Sequence, residues 1–178
     1  MGENRSMTTP VRLAAIDLVT HTPSLAELLV DAVDDGASVG FLAPLAVDEA
    51  AEWWATQTAA IRNNRTVIWA TLDATGITGT IQLRPASAPN GRHRAELTKL
   101  LVHRRARGNG LARELLATAE HFAAASGRTL LTLDTQSGSA AERLYKNAGW
   151  TESGTIPDYA ADPTGRLQPT TLFHKHVG

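Results

Sequence analysis

Leu111, Leu115, Leu116, Ala119 and Phe122 recur at helical spacing, and Gly127 closes the run. Two apolar runs flank this pattern, Ala95 to Val102 before it and Thr129 to Thr135 after it, each of the length of a buried strand. A strand, a right-handed helical crossover and a second strand put the two runs parallel in one sheet. Upstream, Val11 to Val19 fits a first strand, and Pro23 and Ser24 open an amphipathic helix over Leu25 to Asp35. Asp48 then caps a second helix carrying Trp53, Trp54 and Ile61. Arg65 to Leu72 and Ile77 to Leu83 read as strands joined at the hairpin signal Asp73-Ala74-Thr75-Gly76. Downstream, Ser139 caps a helix that ends at Gly149, and strands near Glu152 to Ile156 and Thr170 to Val177 flank a loop from Pro157 to Pro169. The order of elements predicts an α/β chain.

With 178 residues, 43% of them hydrophobic, the expectation is one domain over 1–178, its polar first ten residues flexible. No apolar run is long enough to span a bilayer, and the polar start is not a signal peptide. Met1-Gly2 with Ser6 fits the short myristoylation pattern, while Met7 could equally be a start. The absence of cysteine excludes disulfides and thiol nucleophiles and favours a cytoplasmic setting. His174 and His176 share a strand face but lack a third ligand, so no metal site is expected.

The net charge of −1 hides a division: residues 1–60 hold nine acids and two bases, while residues 84–113 hold eight bases and Glu96 alone. The basic segment suits a polyanionic cofactor, and the acidic one could attract a cation or be an ordinary solvated face. The cluster is too compact and too poor in aromatics for nucleic acid.

Between the Ala95 to Val102 run and the helical pattern lie Arg104, Arg105 and Arg107, then Gly108, Asn109 and Gly110. Glycines permit a tight turn, and a helix start leaves amide hydrogens free for an anion. A Walker loop would end in Gly-Lys-Ser/Thr, but the chain has Gly110-Leu111-Ala112; a dinucleotide fingerprint needs a third glycine where Arg113 stands. Arg105-x-x-Gly108-x-Gly110 remains, and a plain helix start with two turn glycines would read the same.

This loop resembles the pyrophosphate loop of the GNAT superfamily of acyl-CoA-dependent N-acetyltransferases, and SAAERLYKNAGW (139–150) resembles the signature that closes their acyl-CoA site. GASVGFLAPL, AELTKLLVH, TLLTLDTQSGSAAERLYKNAGW, IPDYAADPTGR and TTLFHKH are similar to the tabtoxin-resistance and kasugamycin acetyltransferases. Asn109 departs from the apolar residue usual in the loop, but asparagine tolerates the left-handed region. The resemblance implies a mixed central sheet of about seven strands with about four helices, its two central parallel strands splayed around acetyl-CoA. It also implies direct acetyl transfer to an amine of a small molecule, with no acetyl-enzyme; a homodimer is compatible with it.

By the same resemblance, Leu100, Leu101 and Val102 align the cofactor arm, and Arg105, Arg107, Gly108, Asn109, Gly110, Leu111, Ala112 and Arg113 hold its phosphates. Thr135, Ser139, Tyr145 and Lys146 complete the cofactor wall. Glu96 and Asp134 would hold the ammonium and take its proton. Glu96, on the order of 13 Å along the strand from Leu100, would act through water. Tyr145 would donate a hydrogen bond to the departing sulfur. Phe41, Trp53 and Trp54 could wall the acceptor pocket. Plainer readings stay open: a strand-end aspartate, a glutamate paired with Arg94 or Lys99, a core tyrosine and core tryptophans. The lopsided charge favours a cationic, aminoglycoside-like acceptor, the alternatives being an amino-acid-like β-lactam or a non-catalytic acyl-CoA-binding module.

Overall fold

The computed structural model describes residues 9–178. Most of the expected flexible start, the myristoylation pattern and Met7 lie outside the described residues. The chain runs β1 (Val11–Leu13), α1 (Ala15–Asp34), α2 (Val47–Arg62), β2 (Val67–Asp73), β3 (Gly76–Pro85), β4 (Arg94–Val102), α3 (Leu111–Ala125), β5 (Leu130–Gln136), α4 (Ala140–Asn147), β6 (Thr151–Ala161) and β7 (Leu167–His176). The strands form one sheet in the order β1-β2-β3-β4-β5-β7-β6. Among the described residues only β4 and β5 pair in parallel, and α3 is the crossover between them. The expected mixed α/β architecture, with seven strands and four α-helices, is the one observed among the described residues.

Both faces of the sheet are covered, so alternation along a strand sends side chains to two different cores. In β2, Ile68 and Ala70 pack with Leu25, Leu28, Leu29 and Trp54 on the α1/α2 side. Val67 and Trp69 pack with Leu115, Leu116 and Ala119 of α3 on the other side, together with Leu97, Leu131, Leu133 and Phe173. Leu115 is fully buried, and burying a leucine contributes roughly 1.5–3 kcal/mol.

Three expectations are corrected. The first strand stops at Leu13 rather than Val19, because α1 begins at Ala15 and continues through Pro23. The Ala14 amide donates to Asp17 Oδ2 at 2.7 Å, capping the helix ten residues ahead of the expected start. Pro23 can donate no bond to the carbonyl of Val19, which lies on an exposed residue open to water. Second, α2 is preceded by Ala46, and Asp48 sits in its first turn instead of capping it. Third, the loop expected from Pro157 to Pro169 is mostly strand. Its true turn is short: the Asp162 amide donates to Arg166 O, and Asp162 Oδ1 accepts from Thr164 N, Thr164 Oγ1 and Arg166 N. The Thr164 hydroxyl first, then Gln168 Nε2 at 2.8 Å on Oδ2 and the two amides, hold the Asp162 carboxyl down at about 2. No helix among the described residues is long and apolar enough to cross a membrane.

Candidate active site

The central parallel pair is joined only at its base, through Arg94–Leu130, Ala95–Leu131 and Glu96–Thr132. Beyond those pairs β4 and β5 part, and a cavity of about 840 Å³ opens between them. Ladder groups of β4 past Glu96 therefore lack β5 as a partner and face the opening. Leu97, Leu100, Leu101 and Val102 form one wall; Asp134, Thr135, Gln136, Leu144 and Tyr145 form the other.

A bulge in β4 shapes that wall. Thr80 pairs with Leu101 but Gln82 with Thr98, so Ile81 of β3 faces two residues, and Lys99 takes a φ of 51°. The extra residue inverts the alternation. Leu97 packs on the α3 side and Leu101 on the α1 side, although an unbroken strand would keep positions four apart on one face. Thr80 Oγ1 donates to the Lys99 carbonyl at 3.1 Å and fixes the bulge from β3. The Lys99 ammonium donates to Val39 O at 2.7 Å and lies 5.2 Å from the Trp53 ring centroid and 5.9 Å from that of Phe41.

At the other end of the cavity Gly108 and Gly110 hold φ values of 79° and 82°, the second at the cap position of α3. A Cβ on either would meet nothing within 4 Å, so the loop leaves an open cradle in front of the first amides of α3. The neighbouring arginines are engaged with acids. Arg104 bonds Asp31, Arg105 Nη1 donates to Asp73 at 2.6 Å, and Arg107 bonds Asp35 and Val102 O. Arg113 lines the cavity. Of the acidic first segment, Asp31 and Asp35 are thus engaged by arginines of the basic loop.

Asp134 is an exposed residue on the open cavity wall; the part of its carboxyl taken out of water by that wall raises it above the ordinary range, with the Lys99 charge opposing. Burial, and next the Arg84 charge, lowers the Lys99 ammonium, while Asp134 and Glu96 oppose that. Tyr145 is almost enclosed beside Trp150 and Phe173, and burial pushes its phenol far above the ordinary value, with the Asp134 charge adding to this. Its proton therefore stays on oxygen at any working pH.

Of the residues singled out in the sequence, Leu100, Leu101, Val102, Arg107, Gly108, Gly110, Leu111, Ala112, Arg113, Asp134, Thr135, Ser139 and Tyr145 share the cavity wall. Others sit elsewhere. Arg105 is turned to Asp73, the Asn109 amide donates to Ala106 O within the turn, and Lys146 pairs with Glu142 and Glu152. Ser139 also caps α4, accepting from Glu142 N. Glu96 pairs with Thr132 and is off the wall, but by alternation from Thr132 it shares its sheet face with Asp134. Trp54 is fully buried in the core and does not wall a pocket; Trp53 and Phe41 pack partly on that core. Lys99, Thr98, Gln136 and the Gly36–Val39 segment line the cavity although sequence reasoning gave them no role there. Thr98 Oγ1 and Gln136 Oε1 are buried without a protein partner among the described residues. The GASVG stretch carried a signal through its resemblance; Thr98 and Gln136 carried none.

Solved structures share this architecture. A phosphinothricin acetyltransferase from Sinorhizobium meliloti in complex with acetyl-CoA superposes with a TM-score of 0.76 at 21% identity, covering 97% of this chain and 90% of that one. The yncA protein of Salmonella typhimurium, solved with its cofactor acetyl-CoA, gives 0.75 at 20% identity over 97% and 95%. A ribosomal-protein-alanine N-acetyltransferase from Brucella melitensis gives 0.75 at 21% identity over 94% and 99%. At such identities the likeness is one of fold. The family model matches the sequence itself over residues 27–150, from within α1 to the end of the SAAERLYKNAGW segment, and so over more than half of its length. With the splayed strands, the glycine cradle and α4 all inside that match, the chain belongs to the acetyltransferase (GNAT) family.

Proposed function

We propose that this acyltransferase moves an acetyl group directly from acetyl-CoA to an amine of a small molecule, of the antibiotic or toxin kind that the tabtoxin-resistance and kasugamycin acetyltransferases modify, and so confers resistance. The observation that carries the reading is that Asp134 and Tyr145 face one cavity whose far end is the Gly108–Gly110 cradle.

The residues present suit the cofactor. Acetyl-CoA is an acetyl thioester, activated for attack by an amine. Amides of Leu111 and Ala112, the Arg113 side chain and the two glycines would hold its phosphates. The edge of β4 from Leu100 to Val102, left unpaired by β5, offers hydrogen bonds along a mostly apolar slot.

Asp134 would hold the acceptor ammonium and take its proton; a carboxyl raised by burial is a stronger base than a solvated one. Glu96, farther down the same face, would receive that proton through water. Tyr145 keeps its own proton and would donate a hydrogen bond to the sulfur as thiolate develops. No serine or cysteine nucleophile is required.

Of the finer readings, an aminoglycoside-type acceptor is supported by the two carboxylates sharing one sheet face. It is no longer supported by the whole acidic segment, because Asp31 and Asp35 are engaged by Arg104 and Arg107. The test is thiol release from acetyl-CoA across a panel that includes kasugamycin, tabtoxinine-β-lactam and simple amines. Turnover with at least one small amine is expected. CoA binding with no turnover on any amine would make the chain an acyl-CoA-binding module instead.

A further inference from the structure

Among the described residues, Lys99 is an ammonium without a counter-ion. Its Nζ is satisfied by one carbonyl, that of Val39, and by the faces of Phe41 and Trp53. Among the described residues no carboxylate comes within 4 Å of it. Burying a charge is costly unless a partner compensates it, and a lysine head carries three donors, of which the Val39 carbonyl takes one. A lysine placed only to tie a loop to a strand could leave its head in water. This one is largely removed from solvent, and enough so that its proton affinity falls.

The position of the head decides which anion it could meet. Lys99 stands at the bulge, on the cavity wall with Asp134, and its ammonium reaches the segment between α1 and α2. The phosphate cradle lies past the end of β4, at Gly108 and Gly110, where Arg113 and the α3 amides provide the positive charge. The charged groups coupled to Lys99 are Arg84, Asp134 and Glu96, all on the sheet. Asp134 supplies a negative group suited to an ammonium, and Lys99 a positive one suited to an anion, on the same cavity.

We infer that Lys99 anchors a carboxylate carried by the acceptor, so that acceptor amine and acceptor carboxylate are read together by Asp134 and Lys99. This rests on the small-molecule amine reading above, and it ranks amino-acid-like acceptors ahead of purely cationic ones. Lys99 is then a specificity residue. A carboxylate held by the ammonium sets the distance and direction of the amine from Asp134, while an acceptor lacking it leaves the lysine uncompensated.

The experiment is thiol release from acetyl-CoA with matched acceptors: α-amino acids and their carboxamides, with kasugamycin and tabtoxinine-β-lactam alongside. In the native protein the acids should exceed their amides by at least about ten-fold in kcat/KM, the size of one lost charge-assisted hydrogen bond. Lys99→Met should remove that ratio mainly by raising KM for the acids. Its CoA affinity by calorimetry should change by less than about two-fold, as expected for a residue outside the phosphate cradle. Lys99→Gln, which keeps a polar head, serves as a second variant should the methionine one fold poorly. Amides equal to acids, acetylation confined to amines without a carboxylate, or an acid preference that survives in the variants would each overturn the assignment. Failure of every amine would instead remove the acceptor reading itself, and this inference with it.

Discussion

Asp31 of α1 holds the backbone and the side chain of Arg104 at once: Arg104 N donates to Oδ2 at 2.9 Å and Arg104 Nε to Oδ1 at 2.8 Å. Asp31 is a buried residue of α1, 73 positions away in sequence from its half-exposed partner. Burial alone would raise its pKa; the bonds from Arg104 outweigh that and keep it below the ordinary value. Helix α1 is thereby fixed to the start of the phosphate-type loop.

Asp31→Ala should therefore do more than lower stability. The variant loses both hydrogen bonds from Arg104, and although water can rehydrate that exposed residue in part, urea denaturation should show a lower midpoint at unchanged slope. Acetyl-CoA affinity should fall as well, because the loop loses its support. Loss of stability with undiminished affinity would show that the loop holds its shape unaided.

Gly110→Val places a β-branched side chain at a φ of 82°, a region that costs such residues roughly 1–2 kcal/mol. The protein leaves room for the new Cβ, so the penalty on folding is conformational, and any loss of affinity comes from the added side chain crowding the phosphates. Calorimetry should show acetyl-CoA binding weakened on the order of ten-fold or more, and likewise for Gly108→Val. Native affinity in both variants would take this loop out of the cofactor site.

Tyr145→Phe keeps the ring among Trp150 and Phe173 and deletes only the hydroxyl. Turnover should drop on the order of 10²-fold with acetyl-CoA affinity nearly intact. Asp134→Asn should lower turnover and raise the acceptor KM together, and should abolish the acid limb of the pH–rate profile that a raised Asp134 carboxyl acting as the base would set. An acid limb that persists unchanged in Asp134→Asn would assign the base elsewhere, with Glu96 the next candidate.

Asp162 sets a pH dependence of stability. Its folded pKa of about 2 lies below the ordinary 3.8, so the group contributes stability above pH 4 and loses it as pH falls toward 2. The native protein should lose Tm across that window more steeply than Asp162→Asn, measured by circular dichroism. Parallel curves would mean that the turn gains nothing from the charge.

How much of this was written in the sequence follows from the range over which each feature is determined. Periodicity and capping are local, so α3, β5, the Asp73–Gly76 hairpin and the Ser139 cap of α4 were legible from the chain, as was the glycine loop with its open amides. The start of α1 was misplaced although its signal was local too: Asp17 folds back on Ala14, while Pro23 dominates the reading of the segment. What the tertiary structure alone decided is the charge and the aim of the site. Arg104, Arg105 and Arg107 looked like a free basic cluster until Asp31, Asp73 and Asp35 were brought against them from distant elements. The bulge that turns Lys99 into the cavity exists only because β3 pairs on both sides of it with one residue fewer. No periodicity in β4 could announce that phase change, since pairing partners set the register of a strand and the sequence of the strand carries only its alternation.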